Sequence, residues 1–146
     1  MTDIAFYHLT RSSLEQALPR LLGRVLDQGG RAVVLVGSPE RLSALDQALW
    51  TVSDPDWLPH GTRDADLQPI WLTTDDAPAP NGARFLFLAD GATSQRVAEY
   101  DRVFDLFDGQ DELAVAAARS RWRQWKDAGH GLAYWQQGER GWEKKA

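Results

Sequence analysis

Five short runs of mostly apolar residues punctuate the chain, and the stretches between them have a different pattern. The runs are residues 4–9, 31–36, 68–73, 84–89 and 102–107. Near-continuous apolar runs of this length, rich in Val, Ile, Leu and Phe, are typical of strands that are covered on both faces. Strands that alternate with helical segments predict a mostly parallel sheet with helices on both sides. We therefore predict a three-layer α/β domain.

The segments between the strands carry helix and turn signals. Ser38 followed by Pro39 is typical of a helix start, Gly129 is a favoured helix stop, and Pro69 suggests that its strand lies near a sheet edge. The first predicted helix keeps its apolar spacing over 14–25 and ends at Gly29-Gly30, and the other predicted helices are 38–50 and 110–128. The other predictions are loops over 51–67 and 75–82, a helix or turn over 94–100, and a terminal hairpin of 131–136 with 141–144.

Length and composition favour an ordinary globular protein. The chain has 146 residues, 43% of them hydrophobic, so we expect residues 1–146 to form a single domain with its own core. The sequence contains no run of 18 apolar residues and no charged-then-apolar leader, and it has no cysteine for a disulfide or a thiolate site. We therefore expect a cytoplasmic protein that makes no membrane contact.

Charge is distributed unevenly along the chain. The net charge is −5, which disfavours a protein that coats DNA by itself. Residues 1–118 hold nine basic and 18 acidic side chains, whereas residues 119–146 hold seven basic and three acidic ones. Four of the seven tryptophans also lie in this basic segment. The asymmetry indicates one positive surface on a negative body, which suits an acidic partner.

The loops after the strands lack the residues that bind nucleotides or metals. The Gly-Ser-Pro-Glu sequence that begins at Gly37 has neither the glycine spacing nor the lysine of a phosphate loop. Asp90 follows an apolar strand as a magnesium ligand could, but no phosphate cradle accompanies it. The histidines His8, His60 and His130 stand apart and belong to no metal-binding pattern. We therefore expect no catalytic residues, no metal and no cofactor.

The third predicted helix carries a basic, tryptophan-bearing face. At 100° per residue, Arg119, Trp122, Arg123 and Lys126 share this face, while Arg121 and Trp125 point the other way. Two interpretations remain open. Trp122 is either half-buried under the aliphatic stems of the cations or part of a docking site. An acidic peptide with an apolar side chain fits such a site, and so does a single-stranded nucleic acid that stacks its bases on the indole.

A second candidate contact residue is Trp57, which lies between Pro55 and Pro59 in the predicted loop 51–67. It either folds back over the sheet edge or stands exposed, where a large aromatic side chain is a natural anchor for another subunit. Both interpretations remain open at this stage.

Several short segments of the chain, in their order and spacing, resemble one protein family. They are Phe6-Tyr7-His8-Leu9, the Leu45-Asp-x-Ala-Leu-Trp50 segment with Leu58-Pro59-His60 downstream, the Arg119-x-Arg-Trp-Arg-x-Trp-Lys126 segment with Ala128-Gly129, and Tyr134-Trp135-Gln136. Together they are similar to the chi subunit of bacterial DNA polymerase III holoenzyme.

This resemblance implies a single Rossmann-like α/β domain without a phosphate-binding loop and a role that is not enzymatic. It implies a monomer within a larger replisome-associated complex. In that complex the monomer connects the clamp-loader assembly, through the psi subunit, to the acidic C-terminal tail of single-stranded DNA-binding protein (SSB). Contact with DNA is then indirect. On the matching positions, the residues that bind the SSB tail are Arg119, Trp122 and Arg123, with Lys126 beside them. Trp57 matches the aromatic residue that contacts psi.

Overall fold

The computed structural model of the protein describes residues 2–52, 60–61, 69–139 and 141–146. Its helices are α1 (Leu14–Asp27), α2 (Pro39–Val52) and α3 (Glu112–Asp127). Its strands are β1 (Asp3–Leu9), β2 (Ala32–Val36), β3 (His60–Gly61), β4 (Ile70–Thr73), β5 (Phe85–Ala89), β6 (Arg102–Asp108), β7 (Gly131–Gly138) and β8 (Gly141–Lys144). One turn of 3₁₀ helix, Val97–Glu99, precedes β6.

The eight described strands join one sheet in the order β3-β4-β2-β5-β6-β1-β7-β8. Neighbouring strands are parallel except β7 and β8, which pair antiparallel as a hairpin. The predicted mostly parallel sheet and the predicted terminal hairpin are both confirmed.

Two apolar cores lie on opposite faces of this sheet. The leucines Leu18 and Leu22 of α1 and Leu45 of α2 are fully buried in the first core. Ala118 and Trp125 of α3 are buried in the second. Successive side chains of a strand point to opposite faces, so the inner strands supply both cores. This is the predicted three-layer α/β architecture.

The helix starts lie beyond the carboxyl ends of the strands, and the side chains of Ser38 and Asp111 cap α2 and α3. The Ser38 hydroxyl accepts a hydrogen bond from the backbone N–H of Arg41 at 3.3 Å, and Pro39 is the first residue of α2, as predicted. The Asp111 carboxylate accepts from the backbone N–H groups of Leu113 and Ala114 at 3.0 and 3.4 Å. These bonds satisfy backbone donors that the first helical turn leaves without a partner.

One predicted loop has the wrong bounds. The loop predicted over 51–67 is interrupted, because α2 continues through Val52 and His60–Gly61 pairs with β4. A two-residue strand is too short to produce an alternating pattern in the sequence, so it could not be separated from a loop. The helix or turn predicted over 94–100 is confirmed by the 3₁₀ turn at Val97–Glu99. The strand that follows Pro69 lies near the sheet edge as predicted, with β3 as the described strand beyond it.

Candidate protein-docking site on α3

The inner face of α3 is fixed to the sheet by a buried ion pair. The Arg121 guanidinium donates to both carboxylate oxygens of Asp105 in β6, at 2.6 and 3.0 Å, and the two side chains are 9% and 2% exposed. Burial raises the pKa of the Asp105 carboxyl, and the hydrogen bonds and positive charge of Arg121 oppose that rise. A bidentate contact of this kind restricts both the position and the rotation of the helix.

The outer face of α3 presents its cations to solvent. Arg119, Arg123 and Lys126 are exposed, while Arg121 and Trp125 are buried on the opposite side, in agreement with the helical spacing. Lys126 lies in the last turn of α3, where the partial negative charge of the helix end favours a cation. Gly129, with φ +90°, follows the helix end, so the predicted stop is confirmed. We call the surface formed by Arg119, Trp122, Arg123 and Lys126 the basic helix face.

Trp122 is half-buried at the inner border of the basic helix face. Its ring meets the ring of Phe6 edge-on at 5.4 Å between centroids, and the ring of Tyr134 edge-on at 6.0 Å. Both neighbours belong to the sheet, where Phe6 of β1 and Tyr134 of β7 are paired residues. Edge-on aromatic pairs stabilise one another beyond their apolar contact. The indole is therefore held at a fixed place beside three exposed cations.

Tyr134 and His8 complete the aromatic support, and sequence reasoning missed their roles. His8 Nδ1 and the Tyr134 hydroxyl lie 2.6 Å apart in a hydrogen bond. Burial raises the pKa of the Tyr134 hydroxyl, and the positive charge of Arg119 opposes the rise. Both residues stand in the quoted motifs, but only the structure shows that Tyr134 lies beside Trp122 and that His8 contacts Tyr134.

The first strand–helix loop already has its backbone donors occupied. The Gln137 side-chain oxygen accepts hydrogen bonds from the backbone N–H groups of Thr10, Arg11 and Ser12, at 2.9, 2.9 and 3.1 Å. In nucleotide-binding folds of this architecture, the corresponding loop donates its backbone N–H groups to phosphate oxygens. In this chain the Gln137 side chain occupies those N–H groups, so they are not free to bind phosphate.

Asp90 also has a structural partner. Its carboxylate accepts a hydrogen bond from Arg41 Nε at 2.8 Å, and the second branch of the same guanidinium donates to Glu15 at 2.8 Å. Within the described ranges, no three His, Asp or Glu side chains are grouped as they would be to hold a metal ion. In the same ranges, no helix has the length and apolar character needed to cross a membrane.

The predicted psi-contact residue, Trp57, lies outside the described residues. The contact assigned to Trp57 therefore stays a prediction. Of the predicted binding residues, the structure brings together Arg119, Trp122, Arg123 and Lys126 on α3.

A parallel α/β sheet, a first loop that does not present its amides to a ligand and a basic aromatic helix define a Rossmann-like protein with a candidate docking face. The family model of the DNA polymerase III chi subunit, HolC, matches residues 1–133. The chain therefore belongs to the DNA polymerase III chi subunit family, whose members are accessory subunits of the replicative polymerase. It is also 28% identical over 128 residues to the probable DNA polymerase III subunit chi of Rickettsia prowazekii (strain Madrid E). That alignment covers 79% of this chain and 77% of the relative.

Proposed function

We propose that this chain is a non-catalytic bridge between the clamp-loader assembly of DNA polymerase III and SSB. In this proposal the acidic C-terminal tail of SSB binds the basic helix face, and psi binds near Trp57. Family membership supports a place in the polymerase complex. The observation that carries the SSB half of the proposal is the half-buried Trp122 held by Phe6 and Tyr134 beside three exposed cations.

The chemistry of the tail matches each part of this surface. Its terminal carboxylate and upstream acids can accept hydrogen bonds from Arg119 and Arg123, and a guanidinium group binds a carboxylate through two parallel bonds. An apolar residue at the tail end can pack on the part of Trp122 that remains open. Lys126 adds positive charge in the last turn of the helix. Because the cations are exposed, we expect weak to moderate affinity that falls as salt is added.

A direct single-stranded nucleic-acid-binding role is the second candidate. The net positive charge of residues 119–146 and the partly open Trp122 ring favour it, since bases stack on aromatic side chains between basic residues. The net charge of −5 for the whole chain disfavours it, because a long phosphate backbone would also meet the acidic body. The SSB tail would use the same surface, and because the tail is short it would meet less of that repulsion.

The test is a titration of the protein with a synthetic peptide of the last residues of the cognate SSB, followed by tryptophan fluorescence. Arg123→Ala is expected to weaken binding about fivefold to tenfold, or about 1–1.4 kcal/mol. Arg20→Ala is the matched control, because Arg20 is an exposed arginine of α1, which packs on the opposite face of the sheet. This control should change affinity by less than twofold.

The choice of ligand and of protein variant separates the two candidate functions. Removing the terminal apolar residue of the peptide should abolish saturable binding if the basic helix face binds the SSB tail. Equal weakening by Arg123→Ala and Arg20→Ala would indicate unspecific charge attraction and contradict the proposal. Tight binding of bare single-stranded DNA, with no binding of the peptide, would favour the second candidate.

A further inference from the structure

A crevice of about 500 Å³ lies at the carboxyl edge of the sheet, away from the basic helix face. It is bounded by the ends of β1 and β6, the first turn of α1 and the first half of α3. Its floor is formed by the apolar side chains Leu9, Leu14, Leu106 and Phe107. This size is typical of sites that hold a small ligand or a few side chains of a partner.

The rim of the crevice is acidic. It carries four carboxylates, those of Glu15, Asp90, Asp108 and Asp111. Two cations line the crevice: Arg41 is half-buried, and Arg121 is already paired with Asp105. The four carboxylates and Arg41 therefore give the rim a net charge of −3. Arg41 binds Glu15 and Asp90 together, which fixes two of the carboxylates in place.

Leu113 extends the apolar surface from the crevice into solvent. Its side chain is 82% exposed, and it is the exposed large hydrophobic residue among those that the structure describes. It lies in the first turn of α3, and Ala117, also exposed, follows one turn later on the crevice wall. The cap that Asp111 forms on the N–H groups of Leu113 and Ala114 holds this turn in place.

The two features together indicate the chemistry of the occupant. The acidic rim repels nucleotides and other anions, and Gln137 occupies the backbone donors of the adjoining loop. A buried apolar floor continued by an exposed leucine favours a peptide over a compact polar molecule, because the peptide contacts both the crevice and its mouth.

We propose that this crevice is a second protein-docking surface, which binds a short cationic segment of a partner protein. An apolar side chain of that segment packs against Leu113 and Ala117, and its lysine or arginine residues meet the acidic rim. The basic helix face selects acidic partners, so the two surfaces select opposite charge. The two ends of α3 thus serve different partners.

The experiment selects a display library of random 12-residue peptides on the full-length protein, in the presence of excess soluble Leu113→Glu variant. Only peptides that need Leu113 survive this competition. We expect the survivors to carry Leu, Ile or Phe flanked by Lys or Arg. A synthetic survivor should bind the unaltered protein at least tenfold more tightly than Leu113→Glu. Asp108→Asn should weaken it at least twofold, and Arg123→Ala should leave it unchanged.

The Leu113→Glu variant separates docking from unspecific charge attraction. The substitution adds a negative charge, so attraction alone would strengthen the binding of a cationic peptide, whereas loss of the apolar contact weakens it. Leu113→Gln gives a neutral second variant, and circular dichroism checks that both variants fold. No survivors, survivors without basic residues, or equal binding to Leu113→Glu would overturn the proposal. Self-association that Leu113→Glu abolishes would assign the crevice to a second copy of the chain and would also overturn it.

Discussion

Arg121→Ala is expected to destabilise the protein strongly, because the substitution leaves a buried carboxylate without its partner. The Asp105 side chain is 2% exposed and receives both of its side-chain hydrogen bonds from Arg121. Removing one member of a buried ion pair costs about 3–5 kcal/mol. For a chain of this size, about 3 °C of melting temperature corresponds to 1 kcal/mol, so the midpoint should fall by about 9–15 °C.

The assay is urea unfolding followed by tryptophan fluorescence, with two controls. Arg119→Ala removes an exposed arginine from the same helix and should lower the free energy of unfolding by less than about 0.5 kcal/mol. The double variant Asp105→Leu with Arg121→Met replaces the ion pair by apolar side chains of similar size and should recover most of the loss. The deficit of Arg121→Ala should also shrink at low pH, since burial raises the pKa of Asp105 and protonation removes the unpaired charge.

A loss below about 1 kcal/mol in Arg121→Ala would refute this reasoning. So would a double variant that is no more stable than the single one. The first result would mean that α3 is held by its apolar contacts alone, and the second that the loss does not come from the unpaired Asp105 carboxylate.

Three further predictions concern the site and its support. Trp122→Ala should weaken SSB-tail binding at least tenfold in a peptide titration and lower the free energy of unfolding in urea by about 2 kcal/mol. The control is Trp142→Ala, since Trp142 is half-buried against Tyr7 on the other face of the sheet. This control should lower stability but leave the affinity for the SSB tail unchanged. Gly109→Ala should cost about 1–3 kcal/mol, because a β-carbon there overlaps the His8 ring; Gly23→Ala in α1, with open space around it, should not destabilise the protein in the same assay. Burial raises the pKa of all three tyrosines, that of Tyr100 to about 12. Their contribution to stability should therefore be complete below pH 10 and lost as the pH rises through their pKa values in the folded protein. An absorbance titration at 295 nm with every midpoint near pH 10 would contradict this prediction.

Sequence patterns predicted the fold because the inner strands are mostly apolar. β2, with all five residues buried, is the clearest case. The outer face of α3 was also predictable, since helical spacing alone separates Arg119 from Arg121. The edge strand β3 was not, because two residues give no periodicity.

The support of the site could not be predicted from local patterns. Asp105 stands inside an apolar strand, and its pairing with Arg121 depends on the position of α3 across β6. The contact between His8 and Tyr134 joins residues 126 positions apart in the sequence. Such contacts follow from strand order and register, which the order of elements along the chain does not determine.

The most direct test of tail docking on α3 is photo-crosslinking with the cognate SSB tail peptide, carrying benzoylphenylalanine in place of its terminal apolar residue. Mass spectrometry then identifies the residues that receive the crosslink. We predict crosslinks within residues 119–126 or at Tyr134, which excess unlabelled peptide abolishes and Arg123→Ala reduces. Crosslinks that map to α1, or that unlabelled peptide does not displace, would contradict the assignment of this surface.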